Sequence, residues 1–140
     1  MSMRAVLAPL FVEVLLTFGL MLWMGAMRVR LVRSGQVRPQ DIALREPNWP
    51  KHVLQVQNAA SNQFELPVLF YVLTILSIIT RDADLTFVIL AWVFVLLRLA
   101  HAYIHVTSNN VRHRGLAFIT GAFILMVMWA IYMLRLLLQL

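Results

Sequence analysis

Apolar residues along this chain fall into four long runs separated by short polar intervals. Residues 5–27 carry one charge, Glu13; residues 66–80 carry none; residues 85–104 carry only Arg98; residues 115–134 carry none. A helix rises about 1.5 Å per residue, so roughly 20 residues cross the hydrocarbon of a bilayer. The second run is too short by itself. It becomes long enough only if its helix begins near Lys51 and takes in the polar string HVLQVQNAASNQFE (52–65). The pattern therefore predicts helices over about 5–27, 50–80, 84–106 and 111–138. It places them in one transmembrane domain spanning 1–140, an all-α antiparallel bundle.

The intervals support this division. Gly35, Pro39, Pro47 and Pro50 interrupt helical continuity in the one long connection. Asn48 is placed to cap the second helix, with Pro50 suited to its first turn. Asp82 or Asp84 can cap the third helix, and TSNN (107–110) reads as a turn before the fourth. The short second and third loops make the helices on either side antiparallel neighbours. The polar half of the second helix cannot face lipid, so it must pack on other helices, project into water or line a wet cavity.

Composition and charge sharpen the picture. The chain is 61% hydrophobic and 13% charged, outside the soluble range. The first run is longer than the apolar core of a signal peptide and no A-x-A pattern follows it, so it is read as a helix of the mature protein. Without cysteine the chain has no thiol or disulfide chemistry of its own; a reacting thiol would have to arrive as a ligand. The net charge of +6 is concentrated around the first loop (Arg28, Arg30, Arg33, Arg38, Arg45, Lys51) and at the third (Arg112, Arg114). That distribution speaks for membrane orientation rather than nucleic-acid binding. It predicts cytoplasmic first and third loops and termini outside the cytoplasm. A small, loop-poor chain of this kind fits a bacterial inner membrane.

The candidate chemistry sits on two helical faces. Asn58, Ser61, Asn62 and Glu65 are spaced 0, 3, 4 and 7 on the second helix, and Arg98, His101 and His105 are spaced 0, 3 and 7 on the third. An arginine in hydrocarbon costs at least about 2.5–3.5 kcal/mol, a cost that pairing relieves. The expectation is a Glu65–Arg98 ion pair, with Asn62 and His101 completing a polar network. Pro67 removes the backbone bond to the carbonyl of Gln63, which predicts a kink at that depth. The same network could serve only to fix helix pairing. A metal site built from His101, His105 and Glu65 lacks a third histidine or a second carboxylate motif, and no metal is expected. Glu13 is expected to be hydrogen-bonded inside the bundle, and Trp23, Trp49, Trp92 and Trp129 to pack or to mark the membrane interface.

These residues resemble those of the membrane-associated proteins in eicosanoid and glutathione metabolism, the MAPEG family. The likeness rests on Asn62-x-x-Glu65 followed by a proline, on Arg98-x-x-His101 with a basic turn ending at Arg114, on Arg28-x-Arg30, and on PQDIALR (39–45). It extends over nearly the whole chain. The resemblance implies a homotrimer that binds glutathione as co-substrate between subunits near the cytoplasmic side, with a lipophilic small-molecule substrate entering from the membrane lipids. It implies that Arg28, Asn62, Glu65, His101 and His105 contact glutathione and that Arg114 is the catalytic residue beside its thiol. A nearby guanidinium lowers the pKa of a thiol, so Arg114 would favour the thiolate. The chain departs from the family pattern at Asn58 and Ser61, where arginines are usual, at His105 in place of a tyrosine, and at Gly115 in place of a serine. Fewer cations for two carboxylates imply weaker glutathione binding. The resemblance thus implies a glutathione-dependent transferase or peroxidase acting on lipophilic electrophiles. The alternatives are a non-catalytic scaffold or lipid-binding member of the same fold and, less well matched to charges near one end, a channel or transporter.

Overall fold

The computed structural model describes residues 1–139. Its helices are α1 (Met3–Arg33), α2 (Lys51–Asn62), α3 (Leu66–Ile79), α4 (Leu85–Val106) and α5 (Val111–Leu138), with a short 3-10 turn at Pro39–Asp41. Taking α2 and α3 together as Lys51–Ile79, four spans are long and apolar enough to cross a membrane. The protein is a multi-pass, all-α membrane protein.

Capping explains where the helices stop. Ser2 accepts from the Ala5 N–H at the start of α1, Asp84 from the Phe87 N–H at 2.9 Å at the start of α4, and Asn110 from the His113 N–H at the start of α5. Each satisfies a backbone donor that has no partner within its helix. Of the two aspartates expected at α4, Asp84 is the cap. Asn48 is not the cap of α2: Pro50 holds that position, and the Asn48 amide donates instead to the carbonyl of Asp41 at 2.6 Å. α1 runs six residues past the expected end at 27, because arginine, leucine and valine continue a helix that has already left the apolar run. It closes where the Gly35 N–H donates to Val32 and the Gln36 N–H to Leu31, with Gly35 at φ 77°. That geometry needs a left-handed residue after the helix end, which glycine adopts without a Cβ penalty.

The second span is broken rather than kinked. α2 ends at Asn62, the N–H groups of Gln63, Phe64 and Glu65 donate three residues back, and α3 starts at Leu66 with buried Pro67 in its first turn. Proline lacks the N–H that a continuous helix would need, and it fits a first turn better than an interior.

α1 packs on α2 and α4, and α4 on α5. The buried apolar residues form three clusters. The largest joins Val6, Phe70, Leu73, Phe94, Val95 and Leu125 from all four spans. A second gathers Leu20, Ala59, Ala60 and Ala102, and a third seats the connection through Leu31, Val37 and Val53. The outer surface is apolar, with Phe11, Leu15, Phe18 and Leu22 exposed on α1 and Leu116, Ile119, Phe123 and Met126 on α5. At the end of the bundle where α3 turns into α4, Arg135 bridges Asp84 at 2.9 Å and Asp82 at 3.7 Å.

Candidate functional site

The polar residues gather where α2 ends, around α4 and the α4–α5 turn. Asn62 is the hinge of the arrangement. Its carbonyl accepts from Nη2 of Arg98 at 3.3 Å, and its side-chain Oδ1 accepts from the same nitrogen. Its amide in turn donates to Oε2 of Glu65 at 3.1 Å. Arg98 therefore binds the C-terminal end of α2, where carbonyls lack helical partners and a cation is favoured by the helix dipole.

The expected Glu65–Arg98 ion pair is not formed. Among the described residues the ion pairs are Arg38–Asp41, Arg135–Asp82 and Arg135–Asp84, and Asn62 stands between Arg98 and Glu65. The break at Gln63–Glu65 is the cause: it takes Glu65 off the face it would occupy on a continuous helix. Glu65 is exposed whereas Arg98 is only 1% exposed. Asn58 and Ser61 are exposed as well, while Val53, Val56, Ala59 and Ala60 turn inward. The polar face of α2 thus points away from its own bundle, with Asn62 half-buried at its edge.

His101 and His105 continue the face of Arg98 toward the C-terminal end of α4. Their rings meet edge to face, centroids 5.4 Å apart, and His101 also packs on Phe118 of α5 at 5.8 Å. Both are buried, and Nδ1 of each lacks a hydrogen-bond partner among the described residues. Arg114, half-buried in the first turn of α5, donates to Oδ1 of Asn109. Across the bundle, the Gln55 amide donates to the carbonyls of His105 and Thr107, tying α2 to the end of α4.

Arg28 stands in a third place, between α1 and α2. It donates to Oε1 of Gln57, and its guanidinium lies 5.0 Å over the Trp49 ring. It borders a hollow of about 330 Å³ whose wall also includes Arg45, Glu46, Gln57 and Ser61. Ser61 belongs both to this wall and to the outward face of α2, next in sequence to Asn62. The residues of this hollow that the sequence reading did not select are Gln57, Trp49, Arg45 and Glu46. The available signal was a tryptophan and two charges beside a proline-rich turn, and it became specific only once Arg28 was seen packed on that tryptophan.

Glu13 also differs from expectation. It is fully buried, but neither carboxylate oxygen has a hydrogen-bond partner among the described residues.

Four apolar spans with polar residues gathered at one end of the bundle define an integral membrane protein. The chain belongs to the MAPEG family, whose model matches residues 6–134. This is a family of glutathione-related membrane proteins whose members generally bind glutathione. A comparison with curated proteins gave no match, and neither did one with solved structures.

Proposed function

We propose that this protein is a glutathione-dependent transferase or peroxidase that acts on lipophilic electrophiles at the membrane, working as a homotrimer. The observation that carries the reading is Glu65. It is an exposed carboxylate without an ion-pair partner among the described residues, fixed through Asn62 to a buried arginine. A carboxylate held in that way is ready to take an ammonium group.

The donor set suits glutathione. Glu65 matches its amino group, Asn62 lies beside Glu65, and Arg28 and Arg45 on the hollow match its carboxylates. They offer cations near the positions where Asn58 and Ser61 replace the family's arginines. Glutathione supplies the thiol that a chain without cysteine lacks. Arg114 would hold that sulfur as thiolate, since a guanidinium favours the charged form. His101 and His105, edge to face beneath Arg114, would wall the sulfur's side of the site. The outward polar face of α2 needs cover within a membrane, and a neighbouring copy of the chain supplies it. With the first and third loops cytoplasmic, the site opens on the cytoplasmic side of a cell membrane and both termini lie outside.

A non-catalytic scaffold or lipid-binding role is favoured by one observation, that the Asn62 side chain already serves Arg98 and Glu65. Activity separates the two readings. Conjugation of glutathione to a lipophilic electrophile, measured on detergent-purified protein, is expected to fall about 100-fold in Arg114→Ala, the scale of losing one group that stabilises developing charge. A wild-type protein without activity, or an Arg114→Ala chain as fast as wild type, contradicts the proposal.

A further inference from the structure

Glu13, Gln63 and Arg98 come from three different spans and share one level of the bundle. Along α1, Leu10 and Val12 pack on the largest apolar cluster and Leu16 on the second, with Glu13 between them. Along the second span Ala60 belongs to the second cluster and Leu66 packs on the largest, with Gln63 between. Along α4 Val95 lies in the largest cluster and Ala102 in the second, with Arg98 between. A single polar layer is therefore enclosed above and below by hydrocarbon.

Within this layer Glu13 is 0% exposed, and Arg98 and Gln63 are each 1% exposed. The unmet groups are complementary. Among the described residues, Nε and Nη1 of Arg98 are donors without acceptors, while both oxygens of Glu13 and Oε1 of Gln63 are acceptors without donors. An ion sequestered from water is tolerated only with an opposite charge and hydrogen bonds beside it.

We infer that Glu13 is the counter-charge of Arg98 and a positioning residue for the ligand site, holding the guanidinium so that it grips Asn62 and aims Glu65 outward. Arg98 is neutralised from inside the bundle, which leaves the carboxylate of Glu65 uncompensated and free for a cationic group. The second half of this inference rests on the glutathione reading above; the pairing itself does not. The two groups make no ion-pair contact among the described residues; the counter-charge role follows from one layer, two sequestered opposite charges and matching donors and acceptors.

A double-mutant cycle tests the pairing without any ligand. Thermal unfolding in detergent is expected to show a large loss for Glu13→Gln and for Arg98→Met singly. The double variant should lose much less than the sum, because no charge is then left alone. Additive losses overturn the pairing. Should Glu13→Gln fail to fold, recovery of folding in the double variant carries the same meaning, and a double variant that also fails overturns it. The positioning role is read from glutathione calorimetry. Glu13→Gln is expected to weaken binding about tenfold, the scale of disturbing one charged hydrogen bond. Glu13→Asp, which keeps the charge, is expected to restore most of that affinity. An unchanged affinity in Glu13→Gln overturns the positioning role. Coupled unfolding in a wild-type chain that binds no glutathione keeps the pairing and rejects the ligand reading. Glutathione binding with additive unfolding losses does the reverse.

Discussion

Asn62 does the work that the sequence assigned to a direct contact between two charges. With one side chain it accepts from a buried guanidinium and donates to an exposed carboxylate. Asn62→Ala deprives Arg98 of its side-chain acceptor and Glu65 of its anchor. Leaving a buried charged donor short of a partner costs about 1–3 kcal/mol. A clear drop in melting temperature in detergent is the expected outcome, together with weaker glutathione binding, and an unchanged melting temperature contradicts the bridging role. Helical spacing did reveal Asn62, Glu65, Arg98 and His101 as candidates, because a period of 3.6 is visible in any sequence. It could not reveal which of them touch. That depends on the backbone turning between Gln63 and Glu65. Helical spacing said little of Glu13 beyond its place inside the bundle, since a lone carboxylate on α1 has no periodic partner.

At the scale of elements, the helix ends were largely legible. Asp84 before a hydrophobic run, TSNN before α5 and the polar start of the second span all carry local chemistry that acts without long-range help. The break in the second span was half legible. Pro67 announced a lost hydrogen bond, but not that Arg98 would reach across from α4 to the Asn62 carbonyl where the span divides into two helices. A second cross-link, Arg135 with Asp82 and Asp84, ties the α3–α4 turn to the last turn of α5. It has a pH signature. Burial pushes the Asp84 carboxyl up, but the Phe87 N–H bond and Arg135 outweigh it and hold the group below its ordinary range. A carboxylate of this kind stabilises the fold fully above its unfolded value and loses that contribution as pH falls through the lower folded value. Melting temperature in detergent is therefore expected to fall as the pH is lowered below about 4. The fall should be smaller in Asp84→Asn. Equal falls in the two proteins would remove this clasp from the account.

For the whole molecule, the four runs of apolar residues were enough to predict a multi-pass bundle, because a bilayer demands lengths and an absence of charge that a short count can detect. Assembly lies beyond one chain's pattern, yet the outward face of α2 bears on it. Asn58, Ser61 and Glu65 are exposed on a span whose surroundings are otherwise apolar. Since the chain contains no cysteine, Asn58→Cys places a single thiol on that face. If a neighbouring copy covers the face, a short bifunctional reagent reacting with thiols and amines in native membranes should join Asn58→Cys chains into dimers and trimers. A cysteine on the lipid-facing side of α5, as in Phe123→Cys, should not. Equal cross-linking at both positions contradicts the assembly.

The central claim is that Glu65 is kept free of an intramolecular cation so that it can grip glutathione. The direct measurement is calorimetric titration of glutathione into detergent-purified wild-type and Glu65→Gln protein, with the oligomeric state of each followed in parallel. The account predicts binding by wild type, little or none by Glu65→Gln, and the same trimer in both. A wild-type protein that binds no glutathione, or a Glu65→Gln chain that binds it equally well or falls apart into monomers, contradicts it.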